Sequence, residues 1–296
     1  MNKLSLQQRS SIIRLLVEGN SLRSCSRITD ISITTISKLL VDVGQACQQF
    51  HNDTVINLNS TRIEADEVWS YTFCKDKNVP KCTKEDHKGI GDTWTWTALD
   101  ADSKLMVSWL VGDRSMENAI AFMQDLDSRI KNRVQLSTDG FKYYITAVQQ
   151  AFDWAVDYAQ IIKNYAALDA ADSTERKYSQ PDCISIQKKY ICGNPVESLI
   201  STSYVERQNL TMRMHMRRFT RLTNAFSKKF ENHCHAIALH FVYYNFCKVH
   251  TTLRVTPAME AKLTAKPMTI DDIVRMAYAH ETEAENKRLA RKNRSL

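Results

Sequence analysis

The feature that most constrains this chain is a change of hydrophobic period near residue 60. Before it, apolar residues recur at helical spacing, as in Ile12, Ile13, Leu15 and Leu16 and again in Ile33, Ile36, Leu39 and Leu40. After it, Arg62–Phe73 is rich in aromatic and β-branched residues. Trp94–Leu99 and Leu105–Val111 then alternate, with Asp100–Lys104 as the turn between them. Three such runs in succession predict an antiparallel meander. The polar residues 76–92 form the loop between the first two strands.

Helical periodicity then returns in pieces. Ser115–Lys131 reads as a helix, Val134–Thr138 as a strand, Phe141–Phe152 as a helix and Val156–Ile162 as a strand. The order strand, strand, strand, helix, strand, helix, strand, then helices is that of the ribonuclease H-like fold. The expected class is therefore α/β, a mixed five-stranded sheet with flanking helices, preceded by an all-α domain. Residues 164–202 interrupt the pattern with polar, Pro- and Gly-containing sequence and read as a loop-rich insertion. Long helices resume at Val205–Leu222 and Phe230–Val249, and the tail ends basic. The expected domains are 1–50, a linker at 51–60, a catalytic unit at 61–255 carrying the insertion 164–202, and a helical basic tail at 256–296.

The first fifty residues predict three short helices, roughly Ser5–Glu18, Ser21–Ile28 and one starting after Asp30. In the third, Ser32, Thr34, Thr35, Ser37 and Lys38 make a short-chained polar face opposite the apolar one. That is the anatomy of a helix-turn-helix whose second helix reads the major groove. A small helical bundle for oligomer contacts would show a similar pattern.

Three carboxylates stand where a carboxylate is costly or pointed. Asp66 interrupts a strand that otherwise favours β-branched and aromatic residues. Strand alternation puts Glu64 on its face and Glu67 on the opposite one. Asp139 ends the apolar run Val134–Thr138 and precedes Gly140, at the carboxyl end of a strand where catalytic groups of open α/β sheets sit. A turn aspartate would look the same. Glu206 follows Ser203 in a capping-box pattern. Yet Asn209 and Arg213, three and seven residues on, share its helical face. Two carboxylates on strands and one on a late helix can converge on a pair of divalent metal ions, as phosphodiester chemistry needs.

Charge distribution points the same way. The net charge is +7, and residues 201–230 carry seven cations (Arg207, Arg213, Arg217, Arg218, Arg221, Lys228, Lys229) against one acid, Glu206. Such a run attracts a polyanion. None of the eight cysteines forms a C-x-x-C pair, and Cys74, Cys82 and His87 match no common zinc template. No signal-like or membrane-spanning run is visible, so a cytoplasmic, nucleoid-associated protein with reduced thiols and no membrane partner is expected.

These segments resemble the transposases of the insertion-sequence-one family, within the DDE transposase and retroviral integrase superfamily. The resemblance is carried by Ala65-Asp66-Glu67-Val68-Trp69-Ser70-Tyr71, Thr138-Asp139-Gly140 and Val205 to Arg213. Phe226-Ser227-Lys228, Asn245 to His250, Leu253 to Ala261 and Ser32 to Leu40 add to it. It covers roughly residues 20–275, and its combination of motifs is specific where each alone is weak. It implies cleavage at element ends and attack of the freed 3′-OH on target DNA, dependent on two Mg²⁺ ions (or Mn²⁺). Asp66, Asp139 and Glu206 would be metal ligands and Arg213 the basic residue beside them. Ser32, Thr34, Thr35, Ser37, Lys38, Asn209, Arg217, Arg218 and Arg221 would contact double-stranded DNA, with at least a dimer assembled on it. The chain departs from the family in lacking cysteines within Met1–Asn20, where many members carry a zinc finger, and in the long insertion before Glu206. The rival readings are a catalytically silent DNA-binding regulator and a structure-specific nuclease of the same fold.

Overall fold

Strand β1 (Arg62–Thr72) is the axis of the molecule. It pairs antiparallel with β2 (Gly91–Asp100), which pairs antiparallel with β3 (Met106–Gly112). On its other side β1 runs parallel to β4 (Gln135–Asp139), and β4 runs parallel to β5 (Asp157–Tyr165). The structure is a computed structural model that describes residues 4–79, 89–166, 183–220 and 223–294. The order β3-β2-β1-β4-β5 is the ribonuclease H-like arrangement, and the parallel neighbours are linked through α4 (Met116–Arg129) and α5 (Tyr143–Phe152). Helical crossovers of this kind are what parallel pairing requires.

The sheet has six strands, not the expected five. β6 (Cys183–Cys192) lies within the insertion and pairs antiparallel with β5. Its residues 183–190 are exposed, so it lacks the one-sided burial that makes a strand visible as alternation. The zinc candidates Cys82 and His87, and residues 167–182 of the insertion, lie outside the described residues.

Helices α1 (Leu6–Val17), α2 (Leu22–Thr29) and α3 (Ile33–Thr54) form the amino-terminal unit. Ser5, Ser21 and Ser32 cap them in turn, each accepting a backbone N–H three residues on. α3 continues to Thr54, into the stretch expected as a linker, because Val43, Ala46 and Cys47 keep the apolar stripe going. It crosses α7 (Phe230–Val242) closely. A Cβ on Gly44 would sit 2.3 Å from the Cβ of His235. One hydrophobic core joins Ile12, Ile36 and Leu40 to Ile63, Phe122 and Leu136 of the sheet and its helices.

The C-terminal segment belongs to the same core. After the short α8 (Pro257–Glu260), α9 (Ile270–Arg294) buries Ile273, Val274 and Ala277 against the amino-terminal helices. Arg9 on α1 pairs with Glu281 at 2.7 Å. Helix α6 (Ser203–His215) ends seven residues earlier than its expected extent. Met216 turns extended, and the short helical turn Arg217–Phe219 puts Met216 and Phe219 into a second core with Val205 and Phe241. Among the described residues no helix is long and apolar enough to cross a membrane.

Candidate active site

Register brings the first two acids together. Ala65 of β1 faces Thr138 of β4, so the next residues, Asp66 and Asp139, leave adjacent parallel strands side by side. β4 stops at Asp139 and pairs with β1 only as far as Ala65, and farther along β1 the isolated bridge from Thr72 to Ser227 takes up that side. The open end lets Glu67 join them, although its side chain starts from the opposite face. Carboxylate oxygens of Asp66, Glu67 and Asp139 lie within 4.8 Å of one another. Glu64, which does share the face of Asp66, goes elsewhere. Its Oε2 accepts the N–H groups of Tyr204 at 2.7 Å and Val205 at 3.1 Å, at the start of α6. The N-cap of α6 is Thr202 rather than Ser203, so the helix is capped from β1 and not by the expected capping box.

Crowding shows in the protonation of these groups. Burial, then the charge of Asp139, pushes Asp66 up to about 7. Burial and Asp139 likewise push Glu67 up to about 8. Asp139 is raised mainly by burial, against the N–H of Phe141, which donates to its Oδ1 at 3.0 Å. Three carboxylates this close favour a proton or a cation between them.

Two cations that the sequence did not single out hold the acids. Arg114, just after β3, donates from Nε to Glu67 at 3.3 Å and lies 3.8 Å from Asp139. Its guanidinium also stacks on Phe141 at 4.1 Å and on Trp94 at 4.7 Å. Lys163, near the end of β5, pairs with Glu206, which also accepts the Thr202 hydroxyl at 2.6 Å. Glu206 thus lies on the first turn of α6, outside the close cluster, yet its charge acts on both Asp66 and Asp139. Neither cation carries a local signal, because each partner is distant in sequence.

The remaining expected site residues fall into groups. Asn209, expected on DNA, is buried, and its amide donates to Asp66 at 2.8 Å while its oxygen accepts the Thr97 hydroxyl at 3.3 Å. Arg213 is half-buried in the last turn of α6. Arg217 is exposed, and Arg218 ties its loop to α7 by donating to Ser227 Oγ at 2.9 Å and to the Asn232 carbonyl at 2.8 Å. Arg221 lies outside the described residues. On α3, Thr34 and Lys38 are exposed. Ser32 and Thr35 engage each other in the cap, and Ser37 accepts the Asn232 amide at 3.1 Å. The expected base-reading face is therefore shared between capping, packing on α7 and solvent.

No family model and no curated protein matches the sequence. Among solved structures the chain is similar to the piggyBac transposase in a synaptic complex with hairpin DNA. The identity is 11%, with 96% of this chain and 72% of that one covered and a TM-score of 0.42. It is similar to the Mos1 strand transfer complex at 11% identity, covering 81% and 78%, with a TM-score of 0.23. A pre-cleavage Mos1 transpososome gives 10% identity, 82% and 78% coverage and a TM-score of 0.21.

Proposed function

We propose that this chain is a DDE transposase of the insertion-sequence-one type, which binds element ends, cleaves DNA and joins the freed 3′-OH to target DNA. The observation that carries this reading is the convergence of Asp66, Glu67 and Asp139 at the open end of β4, beneath the helix that bears Glu206. An all-oxygen donor set of this kind suits Mg²⁺ or Mn²⁺ rather than a softer metal. Asp66, Glu67 and Asp139 would hold the metal, with Glu206 as the further carboxylate. When bound, a pair of such ions activates the attacking oxygen and stabilises the leaving oxygen.

The chain's own residues do the rest. Asn209 fixes one oxygen of Asp66, and Arg114 orients Glu67 and balances the charge of the acids. Glu64 holds the start of α6, and so the position of Glu206, against β1. Arg217, Thr34 and Lys38 offer exposed groups to DNA. Two ends must be brought together, so at least a dimer would assemble on DNA.

The test is strand transfer by the purified chain with Mg²⁺ or Mn²⁺ and an element-end oligonucleotide. Asp139→Asn should abolish cleavage and joining while DNA binding persists. Cutting without any need for element ends would favour a nuclease. Binding with no cleavage under either ion would favour a regulator.

A further inference from the structure

A row of half-exposed aromatic rings leads away from the carboxylates. It starts at Arg114, which touches Glu67 and stacks on Trp94. Trp94 of β2 is the register partner of Trp69 on β1, so both side chains lie on one face. Trp69 lies 5.8 Å from Tyr71, and Tyr71 stacks on Phe226 at 5.3 Å with 29° between the planes. Lys75 reaches over the same rings, 5.4 Å from Trp69 and 5.9 Å from Tyr71.

The backbone places these half-exposed rings along the part of β1 that runs past β4. β4 pairs with β1 only from Arg62 to Ala65. The later half of β1 carries Glu67, Trp69 and Tyr71 past the end of β4. Phe226 is brought over the row because Phe73 donates its N–H to the Ser227 carbonyl at 2.7 Å. At its far end lies a cavity of about 400 Å³, bordered by Tyr71, Phe73, Lys75 and Phe226, and Phe73 is 52% exposed. Asp76 and Asp92 near this end clasp each other's backbone N–H groups at 3.2 Å, which takes up part of their charge.

We propose that this row binds a short single-stranded stretch of DNA, its bases stacked on Trp94, Trp69, Tyr71 and Phe226 and its phosphates beside Arg114 and Lys75. Rings interleaved with cations are what an unpaired strand needs, since every base has a stackable face and every link a negative charge. A duplex keeps its bases stacked on each other and gains little from such a surface. Same-face strand residues recur every ~6.7 Å, so Glu67 to Tyr71 spans only about 13 Å, a path for a few nucleotides. The row begins at the acids, so the strand it holds would run into the site where the backbone is cut. The choice of DNA as ligand rests on the proposed function; the arrangement of rings and cations does not.

The test is anisotropy of a fluorescein-labelled short oligothymidylate with the full chain in EDTA, beside a duplex of equal length. Trp69→Ala and Phe226→Ala should each weaken single-strand binding on the order of 5- to 100-fold and duplex binding less than about two-fold. Trp69→Phe should keep most of the affinity, and unlabelled oligothymidylate should quench tryptophan fluorescence. Phe73→Ala and Lys75→Gln alter exposed side chains and decide the matter if the ring variants do not fold. Equal losses for both DNA forms, or no loss in any folded variant, would overturn the proposal. The measurement requires no cleavage. A chain that never cuts DNA but shows the ring-dependent binding would remove the transposase reading and leave this one standing.

Discussion

Asn209 donates its side-chain amide to Asp66 across the gap between α6 and β1, at 2.8 Å, and accepts the Thr97 hydroxyl on its other end. The amide is fixed at both ends, so it sets which oxygen of Asp66 stays open toward Glu67 and Asp139. Asn209→Ala should lower metal affinity or cleavage by about 10- to 100-fold, the usual effect of removing a partner that orients a ligand. Asn209→Asp should be worse, because it adds a carboxylate to a crowded cluster. Calorimetric titration with Mn²⁺, beside strand-transfer rates, measures both. Unchanged metal affinity in a folded Asn209→Ala variant would rule out the orienting role.

The acid cluster makes the metal-free protein sensitive to pH in an unusual direction. Asp66 is raised from 3.8 to about 7 and Glu67 from 4.5 to about 8. Between those limits the folded chain holds protons that the unfolded chain has released. This contribution to stability is complete below the unfolded values and is lost as pH rises toward about 8. A divalent ion relieves the same repulsion. Mg²⁺ or Mn²⁺ at about 100 times its dissociation constant should therefore raise the melting temperature on the order of 5 °C. The gain should be larger at about pH 8 than at about pH 5.5, where protons compete. Glu67→Gln should raise metal-free stability at the higher pH while costing activity. Melting curves of both proteins with and without the ion test this, and a gain independent of pH would count against it.

How far the sequence revealed this site depends on whether each signal was local. Asp66 and Asp139 are legible because a carboxylate disrupts an apolar strand, and the apolar and alternating runs place both on strands. That they are neighbours depends on the register of β1 against β4, which no local pattern encodes. Alternation puts Glu67 on the far face of the strand, where its side chain does start. Alternation does not foresee that β4 ends at Asp139 and leaves room for Glu67 to join. Arg114 and Lys163 are lone cations in ordinary surroundings, and only the fold reveals what they pair with. β6 has no signature in the sequence because Ile184, Ile186 and Tyr190 are exposed, so no burial shapes the pattern around them. The basic run after His215 has helical spacing, whereas burial of Met216 and Phe219 ends α6 before it.

His233 should contribute to the acid limb of stability, beside His51 and His240, which burial also lowers to about 3. It is fully buried between two hydroxyls, with Ser70 Oγ 3.1 Å from Nε2 and Ser227 Oγ 2.9 Å from Nδ1. Burial, then the nearby Arg218 charge, lowers it from 6.5 to about 3. Below 6.5 the unfolded chain takes a proton that the folded chain refuses, so stability falls as pH drops toward about 3. The slope from this one group is at most about 1.4 kcal/mol per pH unit. His233→Gln keeps hydrogen-bonding capacity without the titration. Denaturant midpoints across this range should fall less steeply for the variant than for the parent. Parallel slopes would assign the acid sensitivity elsewhere.

At Gly44 helix α3 crosses α7 closely. A Cβ there would sit 2.3 Å from the Cβ of His235 and 2.6 Å from its Cα, and backbone cannot move aside as a flexible side-chain end can. Gly44→Ala would gain helix propensity of about 1 kcal/mol in isolation. Against α7 the overlap should outweigh this, with a net loss of roughly 1–3 kcal/mol as the helices separate. The same separation would break the Asn232–Ser37 bond and shift α3 relative to the acids. Guanidinium unfolding should report the lower stability. Pairing Gly44→Ala with His235→Gly, which removes the opposing Cβ, should recover part of the loss. A Gly44→Ala variant as stable as the parent would mean that the close crossing of α3 and α7 does not constrain the protein in solution.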